Sequence, residues 1–234
     1  MRLYIVALLV VVAGSAHAQT KHEWTPTRAE WEAVRSIGKG INMNRPGGTG
    51  FHIPQEILNN LLTTTSKLEA VSGVSVEIAV YEHEHANAFA RVWEGKQWLA
   101  FSALYLWHFG KDPDAMATTI GHEMAHLHLG HSGEARQARE GASLALGTAA
   151  NLVIPFSGLI VSALATGFTR DEERAADEQG LKWAVAAGYD PCGQERVAKH
   201  RRGSQSLLST HPGYTERAAL ANEYARKATG KGCE

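Results

Sequence analysis

The sequence lacks an excess of charge of either sign, because its 234 residues carry a formal net charge of −1. A surface that attracts nucleic-acid phosphates needs a clear excess of basic residues, so we expect no nucleic-acid partner. Internal repeats and low-complexity tracts are also missing from the sequence. The remaining composition, 44% hydrophobic and 20% charged residues, suits one globular domain with a substantial core.

Long hydrophobic runs are few, and the first lies at the N-terminus. Arg2 precedes an almost unbroken apolar run, Leu3–Ala13, and small residues then lead to Ala18. This order is typical of a secretory signal peptide. We therefore predict that residues 1–18 are removed and that residues 19–234 form an exported domain, periplasmic or secreted. The alternative is an uncleaved membrane anchor, for which the apolar run is short.

A second apolar stretch, Ser143–Phe168, is interrupted near its middle by Pro155, Ser157 and Gly158. Each half is too short to cross a bilayer as a helix. The stretch therefore predicts a tight helical hairpin or a mobile lid. It leaves membrane contact through residues 143–168 open, but we expect no spanning helix in the mature chain.

Cysteine is scarce as well, since Cys192 and Cys233 are the only two. In an oxidising compartment such a pair commonly forms a disulfide. We therefore predict a bridge that ties the C-terminal tail to the segment around Pro191. The alternative is two free thiols.

The hydrophobic pattern predicts several helices and a few strands. Helical patterns cover Ile53–Val71, Asp114–Leu129, Ala135–Leu146, Glu172–Ala187 and Arg217–Lys227. Strand patterns cover Val74–Tyr81 and a hairpin that joins Ala88–Val92 to Gln97–Ser102, whereas Asn44–Gly50 predicts an irregular loop. Strands come first and helices after, which indicates a mostly helical α+β fold in a single domain.

The segment His122-Glu-Met-Ala-His126 carries the chemistry. Residues four apart share one face of an α-helix, so both imidazoles can reach one ion. Zinc accepts neutral imidazole nitrogen, and at catalytic sites it keeps three protein ligands plus water. Glu123 follows the first of these histidines and is placed to take a proton from that water. Alone, the motif also fits a surface helix with two solvated histidines.

A third ligand is available on a helix further along the chain. Glu173 can complete a two-histidine, one-glutamate site, and Asp177 lies four residues later on the same face. Asp177 can then bind the outer ring nitrogen of a ligand histidine. Glu172 is a rival ligand, but Ala176 stands where its supporting aspartate would be. An ordinary charged helix is the remaining alternative.

The other histidines are expected to have no role at the metal. His128 and His131 lie at offsets from His122 that point away from the ligand face of a helix. His83 and His85 alternate with Glu82 and Glu84 along a predicted strand, where we expect them to face solvent. The alternative is a second metal site.

Several motifs in this order and spacing resemble the HtpX-like zinc metallopeptidases, family forty-eight of the metallopeptidases, which also includes the Oma-type and CAAX prenyl proteases. The resemblance covers roughly Val76 to Arg217. The motifs are Asn87-Ala-Phe89, Gly121-His-Glu-Met-Ala-His126, Glu173-x-x-Ala-Asp177, Ala187-Gly-Tyr-Asp-Pro191 and Thr210-His-Pro212 followed by Arg217.

The resemblance implies a gluzincin-like fold, in which a small antiparallel sheet packs on the helix of the metal motif. The edge strand of that sheet would bind an extended peptide by strand addition. The resemblance also implies that His211 lies at the active site, where it would stabilise the oxyanion of the tetrahedral intermediate. Arg217 matches the family pattern and is expected to orient its neighbours.

These observations favour a zinc-dependent endopeptidase that acts on polypeptides, such as misfolded or misassembled proteins of the cell envelope. The alternative is a zinc-containing, chaperone-like binding protein with little turnover. The presence of Glu123 favours the enzyme, because a purely structural zinc site needs no general base and fills its fourth position with a protein ligand.

Overall fold

A computed structural model of the protein describes residues 23–45, 48–83, 85–93, 95–132, 168–203 and 214–233. The strands in these ranges are β1 (Glu23–Trp24), β2 (Ile41–Arg45), β3 (Gly48–Ile53), β4 (Glu77–Tyr81), β5 (Ala88–Trp93) and β6 (Lys96–Ser102). The helices are α1 (Arg28–Ile37), α2 (Gln55–Ser72), α3 (Ala103–Phe109), α4 (Pro113–His128), α5 (Arg170–Ala186), α6 (Cys192–Gly203) and α7 (Tyr214–Thr229). Helices predominate over small sheets, so the prediction of a mostly helical α+β fold is confirmed.

The first two helices cover one side of the core. In α2 the apolar side chains of Ile57, Leu61 and Leu68 are buried, as their helical spacing predicts. In α1 the indole of Trp31 is fully buried, and its N–H donates to the carbonyl oxygen of Ile78 in β4 at 3.1 Å. This hydrogen bond satisfies a buried polar group and fixes α1 to the sheet.

The larger sheet has the strand order β1-β4-β6-β5. Its outer pairs are antiparallel, but β4 and β6 run parallel, so the prediction of an antiparallel sheet is wrong at this pair. The reason is that the β5–β6 hairpin joins the sheet through β6, which is the more buried of its two strands. The chain reverses direction at β5 and again at β6, so the strand beside β4 has the direction of β4.

The prediction of an irregular loop at Asn44–Gly50 is also wrong where the structure describes this segment. Here β2 and β3 pair antiparallel, with Ile41 opposite Ile53 and Met43 opposite Phe51, and the register shifts beyond Met43. Strands are predicted from the alternation of apolar and polar residues, but backbone hydrogen bonds form without it. The middle of this ribbon is polar and rich in glycine, so its sequence does not predict a strand. Met43 and Ile53 are buried and join the ribbon to the core.

The centre of the fold is α4. This helix begins after Asp112, whose carboxylate accepts hydrogen bonds from the amides of Asp114 and Ala115, and proline occupies its first position. Every residue from Ala115 to Leu127 is buried. A helix surrounded on all sides normally carries apolar residues, because burying unpaired polar groups costs free energy. The histidines and glutamate in α4 therefore need a specific explanation.

Four predicted helices are present with boundaries shifted by a few residues, as α2, α4, α5 and α7. The sequence analysis missed α1, α3 and α6, because α3 has only seven residues and α6 is rich in charge. Three predictions about the fold lie outside the described residues: the signal peptide at 1–18, the helix at 135–146 and, except for Phe168, the apolar stretch 143–168. Along the described ranges, no helix combines the length and apolarity that a membrane span requires.

Cys192 and Cys233 form a disulfide, with their Cα atoms 5.4 Å apart, so the predicted bridge is confirmed. The bond joins the first residue of α6 to the tail that follows α7. The backbone N–H of Cys233 also donates to the side-chain oxygen of Asn222 in α7 at 2.9 Å. The tail is therefore held by a covalent bond to α6 and by hydrogen bonds to α7, which include those between Lys231 and Thr229.

Candidate metal centre

Two imidazoles meet on one face of α4. The Nε2 atoms of His122 and His126 lie 3.1 Å apart, and both side chains are almost fully buried. The four-residue spacing explains this geometry, because such residues are stacked one turn apart on a helix. The buried position contradicts the alternative of two solvated histidines.

The third side chain comes from α5. The carboxylate oxygens of Glu173 lie 3.6 Å from Nε2 of His122 and 3.3 Å from Nε2 of His126. One ligand atom from each of the three residues lies within 4.8 Å of the other two. Two helices separated by a long stretch of sequence therefore bring three possible metal ligands to one buried point.

A glycine pair sets the distance between these two helices. A Cβ atom built on Gly121 of α4 would lie 2.7 Å from the carbonyl oxygen of Gly180 in α5. A Cβ atom on Gly180 would lie 2.5 Å from the backbone nitrogen of His122. The two backbones are thus in direct contact beside the first ligand histidine, and any larger side chain would separate them.

Glu172, the alternative ligand, caps the start of α5 instead. The amide and hydroxyl of Thr169 both donate to the carboxylate of Glu172, at 2.9 and 3.0 Å, and the Glu172 amide donates back to Thr169 Oγ1. This reciprocal arrangement is a capping box at the start of α5. The structure therefore places Glu173, and not Glu172, beside the two histidines.

Behind His122 lies a chain of charged groups. Its Nδ1 is 2.7 Å from Oδ1 of Asp177, which lies on α5 one turn after Glu173. The same oxygen is 2.9 Å from Nε of Arg217 in α7, and Arg217 is itself buried. Gln194 of α6 donates to the backbone oxygen of Arg217 at 2.9 Å. Asp177 thus links the histidine to a buried cation, which agrees with an orienting role for Arg217.

The expectation that His131 points away from the ligands is wrong. Its Nδ1 lies 3.1 Å from Nδ1 of His126. The helical offset applies only within a continuing helix, but α4 ends at His128 and the chain then turns back. His128, by contrast, is exposed and contacts the ring of Trp183, 5.4 Å between centroids.

Glu123 and His211 are the two candidate catalytic residues, and the structure describes only Glu123. Glu123 is only 2% exposed and follows His122 on α4, so its side chain lies in the interior. His211 lies outside the described residues, so its expected place at the active site stays a prediction.

The donor set has the chemistry of a catalytic metal site. Two imidazole nitrogens and one carboxylate are a ligand set that catalytic zinc uses, with a fourth position left for water. Without an ion, this many polar atoms in the core would carry a large desolvation cost. Neutral imidazoles beside a carboxylate are therefore well suited to a divalent cation.

Four neighbours of the site, Gly121, Gly180, His131 and Phe168, were not predicted from the sequence, although the first three had a weak signal. Gly121 and Gly180 are glycines inside helical patterns, which can indicate close packing of backbones. Gly130 marks the end of α4 and thus the turn that returns His131 to the site. Phe168 stacks on the ring of His126, 3.8 Å between centroids, and nothing in its sequence context indicates this contact.

Comparison with known proteins agrees with this site. The family model described as Peptidase family M48 matches residues 55–225 of this chain. This range includes all the described residues of the site. The protein named metalloprotease LoiP from Escherichia coli (strain K12) is 30% identical over 173 residues. That match covers 63% of this chain and 62% of LoiP, so the chain spans less than two thirds of that relative's length. The chain belongs to peptidase family M48, whose members are metal-dependent.

Proposed function

We propose that this chain is a zinc-dependent endopeptidase that hydrolyses peptide bonds of envelope or secreted proteins, as part of protein quality control. The observation that carries the proposal is the convergence of His122, His126 and Glu173 in the interior. Glu123 follows His122 on α4 and is also buried. The name of the relative LoiP, a metalloprotease, supports a proteolytic activity. Membership in the HtpX-like or Oma-type branch of the family is part of the same proposal.

In this proposal His122, His126 and Glu173 hold one zinc ion. When bound, zinc lowers the pKa of a water molecule and polarises the peptide carbonyl. Asp177 accepts the Nδ1–H of His122, which keeps the lone pair of Nε2 directed at the ion. Arg217 holds the Asp177 carboxylate in this position.

Glu123 acts as the general base. Its carboxylate takes the proton of the attacking water and then delivers it to the leaving amide nitrogen. The buried position of Glu123 favours this role, because bulk water that would compete for the proton is excluded. His211 stabilises the oxyanion of the tetrahedral intermediate, as the resemblance implies.

The substrate binds along β5, which is an edge strand in the described part of the larger sheet. An extended peptide can add to such an edge through backbone hydrogen bonds. Asn87 precedes β5, and its buried Nδ2 has no hydrogen-bond partner among the described residues. A substrate carbonyl would satisfy this donor.

We propose an exported location, periplasmic or secreted, after removal of residues 1–18. The Cys192–Cys233 disulfide supports this location, because such bonds persist in oxidising compartments. Contact of residues 143–168 with a membrane surface remains part of the proposal.

The decisive experiment compares wild type with Glu123→Gln. We expect the variant to keep one bound zinc per chain and to lose at least about 100-fold in the rate of peptide hydrolysis, the usual scale for a general base. Glu172→Gln is the matched control, because glutamine also forms a capping box and activity should be unchanged. Near-wild-type hydrolysis by Glu123→Gln, with contaminating peptidases excluded, would contradict the mechanism.

The same variant tests the substrate class in cells. Proteins that accumulate in the envelope of a Glu123→Gln strain, relative to wild type, are candidate substrates. A chaperone-like binding function predicts a different result: wild type would bind unfolded polypeptides without cleaving them, and Glu123→Gln would leave the envelope proteome unchanged.

A further inference from the structure

Each ligand histidine has its outer ring nitrogen against a second side chain. For His122 this side chain is Asp177, at 2.7 Å. For His126 it is His131, with 3.1 Å between the two Nδ1 atoms. We propose that His131 is a positioning residue, which accepts a hydrogen bond from Nδ1–H of His126 and so directs Nε2 of His126 at the metal. This inference rests on the proposed zinc site.

The turn that ends α4 delivers His131 to this position. The amide of Gly130 donates to the carbonyl oxygen of Leu127 at 3.1 Å, and the amide of His131 donates to that of His126 at 2.9 Å. Gly130 has a φ of 70°. This pair of bonds around a left-handed residue is the Schellman motif. In that motif the last residue usually makes an apolar contact with the helix residue five positions earlier, and here the contact joins two imidazoles.

The proton count fits the proposed role. An imidazole that binds a metal through Nε2 carries its proton on Nδ1, so His126 is a donor at Nδ1. Neutral His131 with its proton on Nε2 has a lone pair on Nδ1 and can accept that bond. His122 is therefore supported by a carboxylate and His126 by a neutral ring.

A second contact restrains the ring of His126. Phe168 stacks on its face at 3.8 Å between centroids with an angle of 18° between the planes. Stacking limits tilt of the ring, and the hydrogen bond at Nδ1 limits its rotation within its own plane. Together the two contacts fix both angles that aim Nε2, which is what a pre-organised ligand requires.

The test uses the full chain and two substitutions that differ only in hydrogen bonding. His131→Asn keeps an acceptor near the position of Nδ1, whereas His131→Leu removes it. Zinc affinity is measured by competition with a chromogenic chelator, and the melting temperature is measured on the metal-free protein. His128→Leu is the control, because His128 is the last residue of α4, is exposed and contacts Trp183.

We expect His131→Leu to bind zinc about 10- to 100-fold more weakly, the usual cost of losing a partner of a ligand histidine. His131→Asn should stay within about threefold of wild type, because an amide oxygen is also an acceptor. The metal-free melting temperature of His131→Leu should not fall, because leucine supports the apolar contact that Schellman motifs favour. If His131→Leu does not fold, His131→Phe replaces it with the same expectations for zinc.

Wild-type zinc affinity in His131→Leu would overturn the inference while leaving the proposed function intact. An equal loss of affinity in His131→Asn and His131→Leu would also overturn it, because packing alone would then explain the effect. Failure of the wild-type protein to bind zinc would instead contradict the proposed function itself.

Discussion

The two halves of α4 are held in different ways. At its N-terminal end, Asp112 caps the helix and forms two short contacts with Arg196 of α6, at 2.6 and 2.9 Å. A Cβ atom on Gly193 of α6 would meet the backbone of Asp114 at 2.3 Å, and the next residue back along the chain is the disulfide-bonded Cys192. This end of α4 is held by charge and by close packing against α6, and the disulfide joins α6 in turn to the C-terminal tail.

The C-terminal half meets α5 through direct backbone contact at Gly121 and Gly180, and through a group of buried ionisable side chains. Buried polar groups destabilise a fold unless they are paired or bind an ion. The difference between the halves indicates that contacts at the N-terminal half of α4 stabilise the fold. This stability compensates for the cost of the buried polar groups at the C-terminal half. Because the ligand group is completed by the ion, metal binding should also raise the stability of the folded state.

The largest expected effect is a loss of zinc affinity, caused by substitutions beside the C-terminal half of α4. Glu173→Ala should weaken zinc binding by well over about 100-fold, because a ligand is lost, whereas Asp177→Ala should cost about 10- to 100-fold. Glu172→Ala should leave zinc affinity unchanged, because its carboxylate belongs to the capping box. All three affinities can be measured by chelator competition. Loss of zinc in Glu172→Ala with retention in Glu173→Ala would reverse the assignment.

Breaking the bridge tests the N-terminal half. The disulfide closes a loop with a sequence separation of 41 residues. The Cys192→Ser/Cys233→Ser variant should therefore lose about 2–4 kcal/mol of unfolding free energy, measured by urea denaturation. Its zinc affinity should stay near that of wild type, because neither cysteine contacts the ligand group. A large loss of zinc affinity in the still-folded variant would show that the two halves are not separable.

Two glycine substitutions compare the two halves of α4 directly. Gly180→Ala and Gly193→Ala each force a Cβ atom into the backbone of α4, at 2.5 and 2.3 Å from its nearest atom. Each should destabilise the fold by about 1–3 kcal/mol, since neither clash can be relieved by a side-chain rotation. Only Gly180→Ala should also weaken zinc binding, because a site loosened by about 1 Å loses its ligand geometry.

The measurement combines urea denaturation of the metal-free proteins with chelator competition. Equal zinc affinities for the two variants would contradict a spacing role for Gly180.

Sequence reasoning found the part of the site that depends on helical periodicity. The spacing of His122 and His126, and of Glu173 and Asp177, placed each pair on one face, and the structure brings the two faces together. His131 was missed because its position depends on a helix end and a left-handed turn, which periodicity does not describe. The contact between Gly121 and Gly180 was not predicted, because it depends on how two helices pack and the pattern of either helix alone does not show this.

The same distinction applies to the fold. Strand alternation located β4, β5 and β6, but the parallel pairing of β4 with β6 depends on which strand of the hairpin enters the sheet. Relative burial of the two hairpin strands decides that choice, and burial is a tertiary quantity. Local patterns therefore predicted elements well and pairings less well.

The smallest expected effect concerns the ion pair at the N-terminal end. Burial raises the pKa of the Asp112 carboxyl, but hydrogen bonds from Arg196 and from the amides of Ala115 and Asp114, with the charge of Arg196, hold the pKa below its ordinary value of 3.8. A carboxylate with a depressed pKa stabilises the fold above its unfolded pKa, and this contribution is lost as the pH falls through the folded value. Arg196 is 43% exposed, so the effect is modest.

Asp112→Asn isolates this contribution, because asparagine still caps a helix but cannot carry the charge. At pH 7 the wild type should be more stable than the variant by about 0.3–1 kcal/mol. This difference should shrink once the pH falls below about 4 and vanish below the folded pKa of Asp112. Urea denaturation of both metal-free proteins from pH 7 to about pH 3 measures it, and the comparison isolates position 112 because the two proteins differ only there. A difference that stays constant over this range would contradict a contribution from the charge pair of Asp112 with Arg196.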